Sequence, residues 1–551
     1  MPITLDNVLR ALAESAQAVM DRQITEPGPN RGGVVRPDWG IAEPTGTYGL
    51  VAVCGMLYVA RAMRPDAAPT RPVDDDLLFR MALAMGYLRS IQRPSGLIDL
   101  RDCNYDSSPD AGFAVQSLCP LIELGRPLRG RSATWDGVLA EVETFVRRLT
   151  IGMLDGGFHT PNHRWVIAAA LAYAGRLFSD IPVGPVIDAY VAEGYDANAD
   201  GAYIERSAGV YDAICDRSLL HLSRFRDDRS ALEAAYANLV LNLHMLNADG
   251  TIETGASRRQ DLGTKPIPGS LALPYLMADL ARADDRFVAA ADLIWTRGRG
   301  DAAGLAAHLL QHGEPRPVPS AFPFDFARAF PTIGIWRSRR AAMSATAFAH
   351  SARLFTLTYG RAEIASIKIS QSYFGTGRFI GDDLKETPTG CALRSEGRSE
   401  VHRPGYDLPL GRPVAPDRWF ETRPERDWRP LPRCVSELVI EEAPDGFDLL
   451  YRTLDGIAGV TAQIALDFAP GGVWETDDTC VMPVAGQTLF LKRGRGRMRY
   501  GHDVIEIGPG ADSHRMWAMR DAETAPGHAR ILITFETPVE HRLSIRCRRE
   551  P

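Results

Sequence analysis

Residues 156–165 read Gly-Gly-Phe-His-Thr-Pro-Asn-His-Arg-Trp, and the apolar spacing of a helix continues from there to residue 178. Pro161 suits the first turn of such a helix, because the N–H that proline lacks has no helical partner there. Further along, residues 200–207 read Asp-Gly-Ala-Tyr-Ile-Glu-Arg-Ser and lead to Tyr211, where another helical pattern begins. The two stretches predict loops that place polar side chains at the starts of helices.

Helical periodicity dominates the chain around these stretches, from residue 1 to about 325. The run 47–63 is apolar nearly throughout, which predicts a buried helix. Short Gly-, Pro- and Asp-containing breakers separate the helical patterns, and no repeat of fixed period links them. This half is therefore predicted to be an α/α toroid of stacked helical hairpins. The other predicted helices cover residues 74–91, 111–124, 135–149, 162–178, 183–193, 211–225, 230–246, 270–283, 285–295 and 301–311.

Beyond about residue 330 the apolar pattern changes to a period of two, which is typical of strands. Pro444-Asp445-Gly446 lies between two alternating runs and predicts a hairpin. Many short strands with turn residues between them predict a β-sandwich. The proline-rich stretch 314–331 is the predicted linker, and residues 375–435 are predicted to be a long excursion between strands. The predicted fold class is α+β multidomain, an α/α toroid over 1–325 followed by an antiparallel β-sandwich over 326–551.

The amino-acid composition limits the kinds of molecule that the protein is expected to bind. The 62 basic and 69 acidic residues of the 551 leave a formal net charge of −7, so no global positive field favours nucleic acid or an anionic membrane. No run is apolar for the roughly 18 residues of a membrane span. The N-terminal stretch reads as an amphipathic helix rather than a signal peptide, and the eight cysteines are scattered. These features predict free thiols and a cytoplasmic protein. The oligomeric state stays open.

Asn162, His163 and Tyr211 together suit β-elimination of a uronic acid. Elimination requires that the carboxylate beside the weakly acidic C5–H be neutralised, and the amide of Asn162 could donate to it while Arg164 adds positive charge. A neutral His163 could take the C5 proton near pH 7. Tyr211 could protonate the leaving glycosidic oxygen, or serve both steps if base and acid act on one face.

The whole pattern resembles the heparinase II/III-like and alginate-lyase superfamily of polysaccharide lyases, in which an α/α toroid precedes an antiparallel β-sandwich and catalysis occurs in the cleft between them. Two sequence motifs carry the resemblance: the pair Asn162-His163 and the run from Asp200 to Tyr211. It implies a lyase that leaves 4,5-unsaturated uronate ends on an acidic oligo- or polysaccharide. No cofactor is expected. The His-Gly-His-x-Asp segment that the β-domain of that superfamily often carries is missing here.

Other polar and aromatic side chains are candidates for binding the sugar. The loop that holds Asn104 and Tyr105 offers a hydroxyl partner and a stacking ring, and a polar cluster after residue 254 offers paired arginines for anionic groups. Tyr373 is the first choice for a β-domain side chain that closes the cleft. The substrate-binding candidates are Asn104, Tyr105, Arg164, Trp165, Arg258, Arg259, Gln260 and Tyr373.

Structural and functional alternatives remain. Asn162 could cap a helix, His163 could pack in the core, and Tyr373 could be an ordinary packing residue. A glycoside hydrolase on the same toroid would need paired carboxylates, and nothing in their spacing selects a pair. A non-catalytic carbohydrate-binding protein is the third alternative. No His or Cys cluster predicts a metal site, since Pro161 interrupts the helical face that His159 and His163 would share. The carboxylates available for hydrolysis are Asp102, Asp106, Asp110, Asp200 and Glu205.

Overall fold

The computed structural model describes residues 2–319, 322–373, 377–397, 405–519 and 522–551. The chain divides into two compact units. The first comprises Met1–Leu246 and Gly250–Pro323, and the second comprises Asn247–Asp249 and Phe324–Pro551. The first unit is helical and the second is built from strands.

Side-chain caps begin many of the helices in the first unit. Thr4, Ser107 and Ser132 each accept a hydrogen bond from a backbone N–H in the first turn that follows. Two short hairpins, which the sequence did not predict, precede the second and fourth helices. The helices are α1 Leu5–Met20, α2 Pro44–Met63, α3 Asp74–Ile91, α4 Ser108–Gly125, α5 Ala133–Gly152, α6 Pro161–Leu177, α7 Gly184–Val191, α8 Tyr211–Arg226, α9 Arg229–Met245, α10 Ala272–Ala281, α11 Asp285–Gly298 and α12 Ala302–His312; the hairpin strands are β1 Val34–Arg36, β2 Ile41–Glu43, β3 Ile98–Leu100 and β4 Asn104–Ser107.

The even-numbered helices form a closed ring. Contacts join α2 to α4, α4 to α6, α6 to α8, α8 to α10, α10 to α12, and α12 back to α2. The odd-numbered helices pack outside them; α5, for example, contacts α3, α4 and α6. This arrangement confirms the predicted α/α toroid. Because hairpin partners alternate in direction, α4, α6 and α8 begin at the same end of the ring, which brings the loops before them together.

Helix α2 departs from one expectation. It is long and apolar enough to cross a membrane by length and composition, with a mean hydropathy of 1.3 in its most apolar window. The expectation that no segment reaches that threshold was therefore wrong. About two thirds of that window, 67%, is buried inside the helical unit. A helix that is apolar on all sides because its neighbours surround it meets the same criterion.

The second unit contains two large sheets. One has the order β19-β22-β16-β9-β8-β7-β6-β5 and the other has the order β10-β11-β14-β15-β23-β21-β20-β17-β18. All neighbours are antiparallel except the parallel pair β19 and β22. The strands are β5 Phe326–Phe330, β6 Ile335–Arg340, β7 Met343–Phe348, β8 Phe355–Tyr359, β9 Ala362–Gln371, β10 Asp383–Thr387, β11 Gly390–Ser395, β12 Gly405–Asp407, β13 Trp428–Pro430, β14 Val435–Ala443, β15 Gly446–Asp455, β16 Thr461–Phe468, β17 Val473–Glu475, β18 Cys480–Val481, β19 Thr488–Phe490, β20 Gly496–Tyr500, β21 Asp503–Gly508, β22 Ala529–Glu536 and β23 Glu540–Arg549.

Aromatic residues connect the facing surfaces of the two sheets. Phe447 on β15 packs edge-on against Phe355 of β8 and Trp336 of β6, with ring centroids 5.2 and 6.4 Å apart. One buried apolar cluster draws residues from both sheets, which confirms the β-sandwich. The predicted hairpin forms with Ala443 opposite Gly446.

The region predicted as an irregular excursion is partly regular. Within 375–435, strands β10 and β11 form a hairpin that joins the edge of the nine-stranded sheet, and β12 pairs with β13. Residues 375, 376 and 398–404 of this region lie outside the described residues. Strand β5 also begins inside the predicted linker 314–331. This strand has only five residues, all apolar except Arg328, so no alternation of polar and apolar residues revealed it.

A buried ion pair on the eight-stranded sheet provides a test of stability. Asp467, only 1% exposed, accepts hydrogen bonds from Arg530 at 2.7 and 3.1 Å and from Ser366 at 2.7 Å. Burial alone would raise the pKa of Asp467, but the hydrogen bonds and charge of Arg530 outweigh burial and lower it. The pair therefore stabilises the fold above the ordinary aspartate pKa and loses this effect as the pH falls through the lowered value.

We expect Asp467→Ala to lower the free energy of unfolding by about 3–5 kcal/mol, because it leaves Arg530 buried without its partner. Asp383→Ala is the matched control, since Asp383 is exposed on strand β10 and its nearest cation is 3.6 Å away. That variant should stay within about 0.5 kcal/mol of the parent. Urea unfolding at neutral pH measures both. Equal stability of the two variants would contradict the assignment.

Candidate active site

Three helix starts gather the polar residues at one end of the ring. Thr160 precedes α6, so Asn162 and His163 lie in its first turn. Tyr211 is the first residue of α8. Phe113, in the second turn of α4, contacts the ring of His163 edge-on at a centroid distance of 6.3 Å. The loops before α4, α6 and α8 therefore build one site from segments that are far apart in sequence.

Asn162 is fully buried, and both of its amide hydrogens are used inside the protein. Its Nδ2 donates to Glu205 Oε2 at 2.8 Å and to Thr160 Oγ1 at 3.1 Å. Its Oδ1 has no partner among the described residues. The predicted donation from this amide to a substrate carboxylate is therefore not what the structure shows. Asn162 donates to Glu205 instead, and its catalytic role stays a prediction.

Glu205 links Asn162 to an arginine. It is 5% exposed, and its Oε1 lies 3.2 Å from Arg259 Nη1. The Nη2 of Arg259 donates to the hydroxyl of Tyr211 at 3.3 Å, and its guanidinium lies 4.6 Å from the centre of that ring. A continuous chain of contacts thus runs from Asn162 through Glu205 and Arg259 to Tyr211.

The hydroxyl of Tyr211 receives two hydrogen bonds. The second comes from Gln260 Nε2 at 2.6 Å. A phenol has one donor hydrogen and two acceptor lone pairs, so Arg259 and Gln260 fill both acceptor positions. The O–H itself stays available to an outside acceptor. The two donors also support negative charge on the oxygen when its proton leaves.

His163 lies at the edge of this network in a mostly buried position, 8% exposed. Burial, followed by the charges of His159 and Arg259, lowers the pKa of His163 to about 4. His159 packs against it with ring centroids 4.8 Å apart. The imidazole is consequently neutral near pH 7, as the sequence analysis assumed, and it is a weaker base than an exposed histidine.

We expect the imidazole of His163 to titrate with a midpoint near 4 rather than near 6.5, the ordinary histidine value. Between these values the unfolded state binds more protons than the folded state, so neutral His163 lowers stability as the pH falls through this window and costs nothing above it. NMR titration of the ring measures the midpoint, with His163→Gln identifying the resonance. A midpoint at 6.5 or above would contradict the burial and charge argument.

Two candidates from the same helix serve the structure. Arg164 is 8% exposed and contacts Glu193 at 3.0 Å and Asp196 at 3.4 Å. Trp165 is fully buried, and its indole N–H donates to Asp196 at 2.8 Å. Both side chains are buried and have partners inside the helical unit, and their predicted binding roles stay predictions. The position of α6 explains their burial. This helix belongs to the inner ring, and neighbouring helices cover most of its circumference.

The remaining candidates of the helical unit lie in loops or short strands. Tyr105 on β4 is 66% exposed, and its hydroxyl donates to Arg101 O at 3.2 Å, so its ring is accessible for stacking. Asn104 donates to Asp110 at 3.0 Å in the first turn of α4, one turn before Phe113. Arg258 is exposed, and its guanidinium donates to the carbonyl of Ile204 at 3.5 Å. Asn104, Tyr105 and Arg258 therefore keep their predicted roles as predictions.

Tyr373 belongs to the sandwich unit and is buried, 4% exposed. Its hydroxyl donates to the carbonyl of Pro432. This is the packing alternative that the sequence left open, and it differs from the predicted role of closing a cleft. The β-domain contribution to the site stays a prediction without a named residue.

The carboxylates considered for hydrolysis have other partners. Glu205 is engaged by Asn162 and Arg259, and Asp110 accepts from Ser107 at 2.6 Å and from Asn104. Asp106 accepts a short hydrogen bond from Ser95. Within the described ranges, no group of three or more His, Cys, Asp or Glu side chains is arranged to hold a metal ion. Of these carboxylates, Glu205 contacts the Tyr211 network through Arg259, which balances its charge.

Sequence reasoning missed the role of Glu205 and the contact of Phe113 with His163. Glu205 was visible in the run Tyr-Ile-Glu-Arg-Ser, but it was considered only as a hydrolytic carboxylate. A buried glutamate is rarely unpaired. Two nearby arginines and an asparagine were therefore the features from which the partners of Glu205 could have been predicted. Phe113 offered no signal, because an aromatic residue in an apolar helix usually packs in a core.

Comparisons with known proteins support the assignment of an α/α toroid and a β-sandwich. No protein-family model matches the chain, and no curated protein matches its sequence. A xanthan lyase from Paenibacillus is similar in structure, with a TM-score of 0.56 and 11% identity over 98% of this chain and 57% of that one. A chondroitin AC lyase from Streptomyces coelicolor A3 has a TM-score of 0.52 and 13% identity over 98% of this chain and 78% of that one.

A heparan sulfate lyase from Pedobacter heparinus matches less closely, with a TM-score of 0.46 and 11% identity over 98% of this chain and 83% of that one. The xanthan and chondroitin AC lyases carry the comparison, and at their low identity they establish the fold. The chain has the fold of the α/α-toroid polysaccharide lyases, a helical toroid followed by a β-sandwich.

Proposed function

We propose that this protein is a polysaccharide lyase that cleaves uronic-acid-containing glycans by β-elimination. The observation that carries the proposal is the hydroxyl of Tyr211, which accepts hydrogen bonds from Arg259 and Gln260 and keeps its own proton for an outside acceptor. A phenol in this setting suits the protonation of a leaving glycosidic oxygen. Neutral His163, in the first turn of α6, suits the removal of a carbon-bound proton.

The proposed reaction needs two proton transfers. His163 takes the proton from C5 of the uronate, and the electron pair of that C–H bond forms the double bond between C4 and C5. The C4–O bond breaks, and the leaving oxygen takes the proton of Tyr211. Arg259 and Gln260 then hold the phenolate, and the proton on His163 returns to Tyr211 through solvent before the next turnover.

Stabilisation of the substrate carboxylate comes from two sources in this proposal. The amino end of α6 carries partial positive charge, which favours an anion near Pro161. Arg259 adds a full charge, of which Glu205 balances a part. Asn162 contributes through Glu205 and does not contact the sugar itself. This division differs from the direct Asn162–carboxylate contact that the sequence suggested.

An absorbance screen tests the proposal. The parent protein and Tyr211→Phe are incubated with alginate, glucuronan, heparan, chondroitin, hyaluronan and pectic polymers. Elimination produces a conjugated 4,5-unsaturated uronate that absorbs in the ultraviolet, whereas hydrolysis produces reducing ends without this chromophore. We expect absorbance to rise with the parent on at least one polymer. Reducing ends without absorbance would show a hydrolase, and binding without cleavage would show a carbohydrate-binding protein.

A further inference from the structure

A second polar region lies in the middle of the helical ring. A cavity of about 160 Å³ lies between the inner helices α2, α4, α8, α10 and α12, with one residue of α6. Its polar lining includes Gln116 from α4, His308 from α12, and Arg217 and His221 from α8. Arg217 and His221 are four residues apart and share one face of their helix. Both lie well beyond Tyr211, and His221 is about 15 Å further along α8, so this cavity is not the candidate active site.

Several polar atoms of the lining have no hydrogen-bond partner among the described residues. They are Nδ1 of His221, Nε of Arg217 and Oε1 of Gln116. His221 is 8% exposed and Gln116 is 3% exposed. The ring of His221 stacks on Phe225 at a centroid distance of 5.5 Å. Buried polar groups in proteins are nearly always satisfied, so three unpartnered atoms around one cavity indicate a bound polar species.

The lining carries more positive than negative charge. Two arginines, Arg217 and Arg224, face the cavity together with one aspartate, Asp301. Burial, followed by the charges of Arg217 and Arg224, lowers the pKa of His221 to about 3. Burial, followed by the charges of His312 and Arg224, lowers the pKa of His308 to about 3. Both imidazoles are therefore neutral at pH 7, and the potential around them is positive.

The acidic groups near the cavity already have partners. Asp301 accepts a backbone N–H at the start of α12 at 2.9 Å, and its other oxygen is 3.7 Å from Arg217, beyond hydrogen-bond distance. Glu123 accepts from Tyr173 at 2.7 Å and from Gln311 at 3.0 Å. Neither carboxylate satisfies Arg217 Nε.

We propose that this cavity binds a small oxyanion, held between the guanidinium groups of Arg217 and Arg224 and the ring of His221. Arginine and neutral imidazole both supply N–H donors to such an anion. The volume is close to that of an engineered cavity of about 150 Å³ that holds benzene, so it suits sulfate, phosphate or a short carboxylate and excludes a sugar chain. The inference is independent of the proposed lyase activity, since it concerns other residues and needs no glycan.

Calorimetric titration of the full chain with sodium sulfate, sodium phosphate and sodium acetate, each against sodium chloride at equal ionic strength, tests the proposal. We expect saturable one-site binding of at least one oxyanion and none of chloride. The sulfate and phosphate arms identify a tetrahedral anion, and the acetate arm identifies a carboxylate. Arg217→Gln should weaken binding by about tenfold or more, the scale of one lost charge-assisted hydrogen bond.

Two further variants make the test decisive. Arg226→Gln is the matched control, because it removes the same charge from the same helix at a side chain that contacts Asp188 outside the cavity. It should bind the anion as the parent does. His221→Phe keeps the ring stacking and should weaken binding by about fivefold, the scale of one lost neutral hydrogen bond, without lowering the melting temperature of the free protein. Absence of saturable binding, or equal binding by all three variants, would overturn the proposal.

Discussion

Replacing Tyr211 with phenylalanine is expected to lower kcat for elimination by about 10²–10⁴-fold, the range seen when a positioned acid or base is removed. The change deletes one oxygen and keeps the ring that packs beneath Arg259. Both hydrogen bonds to that oxygen, from Arg259 and Gln260, are lost with the proton that the leaving group would take. Because the substrate carboxylate is bound by other groups, KM should change far less than kcat.

Tyr236→Phe is the matched control for this experiment. Its hydroxyl also makes a hydrogen bond inside the helical unit, donating to Asp284 at 2.6 Å, but it lies on α9 in the outer layer. Removing it should cost about 1 kcal/mol of stability and leave kcat unchanged. Ultraviolet product formation and urea unfolding measure both quantities for both variants. Turnover by Tyr211→Phe close to that of the parent would remove this phenol from the mechanism.

The helical and strand patterns in the sequence predicted the fold class, because the apolar residues of each pattern mark the face of the helix or strand that is buried. The helix predicted at 211–225 is observed at Tyr211–Arg226, and the Asp445-Gly446 turn connects β14 to β15 as expected. The hairpins β1–β2 and β3–β4 were missed, since each strand has only three or four residues and carries no recognisable alternation. The edge hairpin of β10 and β11 was missed because exposed strands of mixed polarity resemble loops.

The site was predicted less completely, for a physical reason. The residue types at helix starts could be read from the sequence, but their hydrogen-bond partners could not. Asn162 donates to Glu205, which is 43 residues away, and Arg259 contacts Tyr211 across 48 residues. Sequence spacing says nothing about such distances across a ring of helices. Sequence neighbours can also mislead. Trp165 stands beside polar residues and was interpreted as a sugar contact, but its side chain is fully buried.

The ion pair of Arg259 and Glu205 gives the second large expected effect. The sequence suggested that Arg259 grips a distal anionic group, in which case its loss would mainly raise KM. The structure instead places its guanidinium on the oxygen and the ring of Tyr211. Arg259→Met should therefore lower kcat by about 10²–10³-fold, the scale for removing one preorganised donor from developing negative charge. KM should rise by a smaller factor, because the amino end of α6 still favours the substrate carboxylate.

Arg258→Met is the neighbouring control, because Arg258 is exposed and its guanidinium donates to the carbonyl of Ile204 rather than to Tyr211. It removes the same charge from the same loop, and it should not reduce kcat by a comparable factor. A general loss of positive potential would affect both variants alike, whereas support of the phenolate affects only Arg259→Met. Steady-state kinetics on one substrate distinguishes the two explanations.

A second substitution, at Glu205, distinguishes the catalytic role of Arg259 from its contribution to stability. Arg259→Met leaves a carboxylate that is only 5% exposed without its cation, which should cost about 1–3 kcal/mol of stability. Adding Glu205→Gln removes that charge and keeps an oxygen that can accept from Asn162, so the double variant should regain most of the lost stability. It should not regain kcat, because the donor to Tyr211 is still absent. Recovery of kcat with stability would show that Arg259 acts only by holding the fold together, and the direct contact with the phenol would then have no catalytic role.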